Sequence, residues 1–291
     1  MKTCLRIFAA ALLAALTPAA SRADFGYGVS FATSQLFSVD TATGQGTLIG
    51  PLGGPTNGPV SPFGLAAVGN QLFTFDSVTD QIRLLDPTNG SFQRSFDIGI
   101  GPVLGQGGLA FQNSTVGFLT STLDATSPDL TPMNNLFRFD IASGTSTRVG
   151  LTSAPIEALA FGPDGTLFGL GKLNGNLYRI DTTTGATTLV GNTGVDVGSP
   201  IGALSFGPNG TLFATLDDKL FTLNLTTGAA TAVGSIDPFD DTGFSSISGL
   251  AIVASPLAVP EPASVLLVGI GLGVVSFSAL RSRKPGSPAV I

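Results

Sequence analysis

Few side chains in this protein are able to do chemistry, and nearly all of those are carboxylates. There is no histidine, and the one cysteine, Cys4, stands near the N-terminus. Zinc sites of the usual kind, Ser-His-Asp triads and Cys-His pairs are therefore excluded, because each needs an imidazole or a thiolate. Two glutamates occur, Glu157 and Glu261. Glu157 heads the apolar run ALAFG; set at a channel mouth it would bind a metal or act as a base, and a solvated strand end is the plainer reading. The densest acidic group is DPFDDTG, where Asp237, Asp240 and Asp241 could hold Ca2+ with the help of backbone oxygens. A solvated acidic loop is the plainer reading there too. The glycine-rich run GIGPVLGQGG, Gly99 to Gly108, has neither the spacing nor the following lysine of a phosphate loop, and no nucleotide is assigned to it.

The elements that would position these groups are repeated. Five segments align: LFSVDTATGQGTLIG from Leu36, IRLLDPTNGSFQRSF from Ile82, LFRFDIASGTSTRVG from Leu136, LYRIDTTTGATTLVG from Leu177 and LFTLNLTTGAATAVG from Leu220. Their starts lie 46, 54, 41 and 43 residues apart, the period of a propeller blade rather than of a short solenoid repeat. Each opens with strand-like alternation, which Arg83 interrupts in the second unit. Each then has Asp or Asn followed four residues later by glycine, at Asp40/Gly44, Asp86/Gly90, Asp140/Gly144, Asp181/Gly185 and Asn224/Gly228. A turn explains the pair better than a calcium loop: the side chain bonds its own backbone two residues on, and glycine supplies positive φ.

Ahead of these segments lies another pair of strands, plainest in ALAFGPDGTLFGLG and ALSFGPNGTLFATL, whose Asp164-Gly165 and Asn209-Gly210 are hairpin signals. Related first strands begin at Gly64, Gly108 and Gly249, each with a small residue before leucine, as an innermost strand crowded around an axis requires. Four strands per unit make an all-β fold of propeller type. The first unit, from about Tyr27, has three strands, and SISGLAIVASP near the other end is an inner strand without a blade. Pairing the two removes an open edge and predicts a five-bladed β-propeller closed by its N- and C-terminal strands. A six-bladed ring or an open solenoid is the rival. The divergent section Ser121 to Asn135 holds an extra strand or a long surface loop, and a loop there is a candidate contact site.

The two ends differ from the middle. Residues 1–23 carry Lys2 and Arg6, an apolar run, and small residues at Ser21 and Ala23, the pattern of a signal peptide removed by signal peptidase. Residues 24–256 form the propeller domain. Residues 263–280 are uncharged and long enough to span a bilayer as an upright helix, and Arg281, Arg283 and Lys284 then stop it on the cytoplasmic side. Pro260, Glu261 and Pro262 stand before the span, with two prolines holding the backbone extended and open to a protease.

That tripeptide, apolar span and basic end over residues 257–291 resemble the PEP-CTERM sorting segment. The resemblance implies processing by exosortase, with Pro260, Glu261 and Pro262 as the recognition element, and places the protein among exported surface proteins that accompany exopolysaccharide. Between Asp24 and Val259 seven basic residues face eighteen acids, a net of −11, which repels nucleic acid. The function expected is non-catalytic binding of glycan or of another surface protein, with no resident cofactor. A secreted calcium-dependent propeller hydrolase or lyase is the alternative. No tryptophan and only Tyr27 and Tyr178 are available as the aromatic platforms usual in sugar binding.

Overall fold

The structure is a computed structural model that describes residues 24–53, 60–100, 107–121, 135–172, 174–195, 202–216, 218–236 and 247–254. The chain divides into two compact units, Met1–Pro256 and Leu257–Ile291, and every described residue falls in the first.

Among the described residues, twenty strands form five antiparallel sheets of four. In chain order, β1 (Phe25–Ser30), β2 (Gln35–Asp40) and β3 (Gly46–Pro51) belong to blade 1. Blade 2 is β4 (Pro62–Val68), β5 (Gln71–Asp76), β6 (Gln81–Leu85) and β7 (Phe92–Asp97). Blade 3 is β8 (Leu109–Phe111), β9 (Val116–Ser121), β10 (Asn135–Asp140) and β11 (Thr145–Leu151). Blade 4 is β12 (Ile156–Phe161), β13 (Leu167–Gly171), β14 (Asn176–Ile180) and β15 (Thr187–Asn192). Blade 5 is β16 (Gly202–Phe206), β17 (Leu212–Leu216), β18 (Lys219–Leu223) and β19 (Ala230–Ser235). The last strand, β20 (Ile247–Val253), returns to blade 1 and pairs with β1, Phe25 opposite Val253 and Gly28 opposite Leu250. Strands β20, β4, β8, β12 and β16 neighbour one another in a closed circle. This is a five-bladed β-propeller. Both rivals fall with the β1–β20 pairing, which leaves neither strand as an open edge at the seam.

The inner strands show why the sequence repeats a small residue before leucine. A Cβ added at Gly249 would lie 2.6 Å from the Leu65 nitrogen, one at Gly64 2.6 Å from the Leu109 nitrogen, and one at Gly108 2.5 Å from the Leu159 nitrogen. Neighbouring inner strands thus touch backbone to backbone. Blades 4 and 5 use Ala158 and Ala203 at the same register position. The leucines that follow, Leu65, Leu109, Leu159, Leu204 and Leu250, are all buried, and the axial space beside them is too narrow for water.

One residue further on, Ala66, Ala110, Ala160, Ser205 and Ala251 lie opposite Phe73, Phe118, Phe168, Phe213 and Tyr27 on the second strand. Each small residue leaves room for the next blade to insert a side chain against that ring. Phe111 packs on Phe73 with centroids 4.9 Å apart, Phe161 on Phe118 at 5.6 Å, and Phe206 on Phe168 at 5.5 Å. Ile252 shares a core cluster with Phe213, and Ala67 holds the corresponding place in blade 2. Apolar burial at these blade joints is the main source of stability, at roughly 1.5–3 kcal/mol for each large side chain fully buried.

The Asp/Asn–Gly pairs are turns, as expected from the sequence. The N–H two residues on donates to Oδ1 of Asp40, Asp86, Asp140, Asp181 and Asn224 at 2.7–2.8 Å. The glycines four residues on have φ between 68° and 82°. Four of these turns also press against the preceding blade. A Cβ at Gly150 would collide with the carbonyl oxygen of Thr184, one at Gly191 with that of Thr227, one at Gly234 with that of Thr43, and one at Gly50 would lie 2.7 Å from that of Asn89. The glycine that ends four of the five repeats is therefore a spacer against the next blade's turn, and Phe96 replaces it in blade 2.

Candidate functional site

The two ends of the ring differ in the length of their connections. The hairpin from inner to second strand in blades 2 to 5, and from third strand to outermost in all five blades, spans two to six residues; these share one face. On the other face lie the links from blade to blade and from second to third strand. The described strand ends that flank 52–61, 98–108, 122–134, 193–201 and 236–246 all lie on this face; most of the residues between them, and all of 122–134, where the sequence suggests an extra strand or a contact loop, lie outside the described residues. Rigid strand ends carrying long connections are where propellers and other scaffolds place binding.

Glu157 sits on this long-connection face, near the start of β12, where the pairing with β13 slips by one residue. It is 5 % exposed, so it is not a solvated strand end. Its Oε1 lies 3.0 Å from where a Cβ of Gly202 would stand, beneath the first residue of the next blade's inner strand. The glycine makes room for the carboxylate. Lys172, at the end of β13, is half-buried; burial pulls its ammonium below the usual lysine range, and the charge of Glu157 partly restores it. Among the described residues no group of three or more acidic, histidine or cysteine side chains could hold a metal ion. Asp237, Asp240 and Asp241 lie outside the described residues.

Buried hydroxyls tie the blades together at this level. The Thr120 hydroxyl accepts from the Gly108 N–H at 2.8 Å and donates to the Ile156 carbonyl of the next blade at 2.9 Å. Ser248 donates to the Pro62 carbonyl at 2.6 Å, from blade 1 to blade 2. These bonds satisfy backbone carbonyls where inner strands meet and fix the ring's geometry.

The same face of blade 4 carries a lattice of amides that the sequence did not single out. The Asn192 amide donates to the Asn174 carbonyl and to Asn176 Oδ1, both at 2.7 Å. The amides of Asn174 and Asn176 donate to the Tyr178 hydroxyl at 3.0 and 3.2 Å. Asn174 and Asn192 are exposed and Asn176 is half-buried, so the lattice is fixed from within and open to solvent. A tyrosine hydroxyl that accepts two bonds keeps its own proton to donate. The signal available in the sequence is three asparagines around one of only two tyrosines.

On the short-turn face the channel opens again, into a mouth lined by Phe111, Phe161 and Phe206 with Ala67, Ser205 and Ile252. These three rings come from the inner strands β8, β12 and β16. Arg83, which interrupts the repeat, proves structural: its guanidinium pairs with the buried Asp76 at 3.2 Å and lies over the Phe92 ring.

Compared with known protein families and with curated proteins, the sequence finds no match. Solved structures with a similar chain path exist. One is in the nidogen/laminin complex (14% identity, TM-score 0.48, 80% of this chain against 81% of that one). Another is a protein of unknown function from Bacteroides caccae (8%, 0.44, 80% against 99%). A third is a gluconolactonase from Xanthomonas campestris (15%, 0.47, 75% against 78%). The five-bladed assignment stands on the strand order above, not on these likenesses.

Proposed function

We propose that this protein is an exported, non-catalytic binding protein whose propeller presents its long-connection face to glycan or to another surface protein. The observation that carries the reading is the amide lattice of Asn174, Asn176 and Asn192 around the Tyr178 hydroxyl. It offers fixed, neutral donors and acceptors, the groups that recognise sugar hydroxyls without a charge on the ligand. The overall charge of −6 and the shortage of cations speak against a polyanionic ligand. A hydrolase or lyase would need carboxylates converging on one mouth, and Glu157 is instead packed against Gly202 beside Lys172.

Delivery rests on the sequence alone. Residues 1–23 act as the leader cut by signal peptidase, residues 24–256 as the propeller domain, and residues 257–291 as the sorting segment that exosortase recognises at Pro260, Glu261 and Pro262. The span 263–280 and its stop at Arg281, Arg283 and Lys284 hold the protein at the membrane before release to the surface or to exopolysaccharide. All of these ends lie outside the described residues, among which no helix is long and apolar enough to cross a membrane.

The binding reading is tested on a glycan array with the propeller domain and its Asn176→Ala and Tyr178→Phe variants. The expected result is binding of neutral glycans that both variants weaken at least fivefold, with melting temperature unchanged for Tyr178→Phe. Binding that neither variant alters removes the lattice from the site. Calcium-dependent stabilisation lost in Glu157→Ala would move the assignment to the calcium-dependent enzyme. For the sorting segment, replacing all three of Pro260, Glu261 and Pro262 by alanine is expected to leave full-length protein in the membrane fraction, and unchanged release would refute the motif.

A further inference from the structure

The mouth on the short-turn face holds a space of about 110 Å³ above a floor of Leu65, Leu109, Leu159 and Leu204, below which the axis is too narrow for water. Its exposed wall is mostly polar, although Ser205 is the only lining residue with a polar side chain. The backbone therefore supplies that polarity. Strands β20, β4, β8, β12 and β16 each stand at the end of their sheet, so one edge of every inner strand pairs with no other strand and is turned to the axis.

The hydrogen-bond register identifies the groups on those edges. Gln112, Gly162 and Gly207 donate their N–H to the second strand, to the carbonyls of Val116, Thr166 and Thr211 at 2.8–2.9 Å. Bonded and unbonded residues alternate along an antiparallel pair, so Phe111, Phe161 and Phe206, one position earlier, direct both N–H and C=O toward the axis. Ile252 does the same on β20, where its N–H donates to Ser205 Oγ of blade 5 at 2.9 Å. Ala67 holds the equivalent position in blade 2. The inner strands run toward this face, so the N–H of each of these residues lies nearer the floor and its carbonyl nearer the rim. Five carbonyl oxygens, one from each blade, form the outermost ring.

Charge at the rim has one sign. After Phe161, Asp164 Oδ1 lies 2.8 Å from where a Cβ of Gly162 would stand, and after Phe206, Asp24 Oδ2 lies 2.8 Å from that of Gly207. The hairpins that border the mouth, 69–70, 112–115, 162–166 and 207–211, contain no lysine or arginine. Arg179 lies over the Phe168 ring, outside the lining. We propose that this mouth holds one partly hydrated alkali cation, Na+ or K+, on the carbonyl oxygens of Ala67, Phe111, Phe161, Phe206 and Ile252. The carbonyls replace part of the ion's water shell, and the Asp24 and Asp164 carboxylates add attraction from the rim. A divalent ion needs carboxylates in its own shell, and among the described residues no three acidic side chains converge. The ion touches all five blades, the β1–β20 seam included, and binds only the closed ring, which it therefore stabilises. The site lies on the opposite face from the amide lattice and does not depend on it.

The protein is melted in KCl, in NaCl and in tetraethylammonium chloride at equal ionic strength. A saturable rise of about 2–4 °C is expected with K+ or Na+, and none with tetraethylammonium, which is too bulky for the ring. Ala67→Lys, which tethers an ammonium beside the carbonyls, should abolish the rise. Asp24→Asn combined with Asp164→Asn should increase the half-saturating concentration about threefold, the worth of charges held near water. Crystals grown with thallium(I) in place of K+ should show one anomalous peak on the axis of the mouth, and this measurement carries the test if Ala67→Lys fails to fold. No thallium peak there overturns the proposal, as does a rise with tetraethylammonium equal to that with K+. Saturation by CaCl2 at a tenth of the KCl concentration would overturn the ion class.

Discussion

The joint between blades 2 and 3 and the joint between blades 4 and 5 solve one packing problem in two ways. Between blades 4 and 5 the chains meet at their outer rim backbone to backbone: Gly191 faces Thr227, and a Cβ on Gly228 would lie 2.5 Å from the Gly191 carbonyl. Leu170, Leu177, Leu212 and Leu216 fill the space inward of that contact. Between blades 2 and 3 the spacer glycine is gone and Phe96 stands in its place, and a Cβ on Gly144 of the next turn would come no nearer than 3.3 Å to the Asp97 carbonyl. The wider gap is filled by rings. Phe73 meets Phe111 at 4.9 Å and Phe96 at 6.1 Å, Phe111 meets Phe139 edge-on at 5.2 Å, and the Arg94 guanidinium lies over Phe96. A closed ring tolerates such a change because each joint is a local contact, and only the sum of the five must close the circle.

Breaking the aromatic joint should cost most. Phe73 is 1 % exposed and touches both Phe96 and Phe111, so Phe73→Ala is expected to destabilise by about 3–5 kcal/mol in urea unfolding. A loss under about 1 kcal/mol would show that the ring stack does not hold this joint. Gly191→Ala forces a methyl into the Thr227 carbonyl, where both sides are backbone and neither can yield alone; about 3 kcal/mol is expected. Wild-type stability for that variant would mean that the close approach is not a constraint. Phe96→Gly inserts the spacer into a joint built for a ring and should cost about 2 kcal/mol, less than Phe73→Ala because Phe96 is half-buried. If Phe96→Gly instead stabilises the protein, the two joints are interchangeable.

The sequence disclosed what repeats and obscured what deviates. The period, the Asp–Gly turns, the small residue before leucine and the orphan strand now known as β20 are all features of local spacing, and together they led to the closed five-bladed ring. Contacts between blades were harder to see, because their partners lie about forty residues apart. The terminal glycine of the repeats stood in four of the five aligned segments, yet its role needs the next blade's turn to be in view. Ser205 is a serine among alanines only once register is known. Glu157 stands out in the sequence by its rarity, while its burial against Gly202 belongs to a contact between neighbouring blades. The phenylalanines of the mouth were indistinguishable in the sequence from those of the core.

The smallest expected effect concerns acid, and it separates the blade 4–5 joint from its neighbour. The blade 4 turn rests on Asp181, whose carboxyl is held below the usual aspartate range by the Thr183 hydroxyl and by the N–H groups of Thr183 and Thr184. The blade 5 turn, which closes onto Gly191, uses Asn224 for the same N–H acceptance and has nothing to titrate. A carboxyl with a lowered folded-state pKa contributes stability that is complete above its unfolded value, near 3.9, and is lost as pH falls through the folded value. Acid sensitivity from this source therefore resides in the Asp181 turn and not in the Asn224 turn. Melting temperatures at pH 7 and pH 3 should draw closer together in Asp181→Asn and further apart in Asn224→Asp, with little change in either variant at pH 7. Because both turns are exposed, the shifts should be smaller than those from any of the three packing variants. Equal acid sensitivity in wild type and both variants would show that these turns do not stabilise the joints through their charge, and would leave glycine spacing and side-chain packing as the difference between one joint and the next.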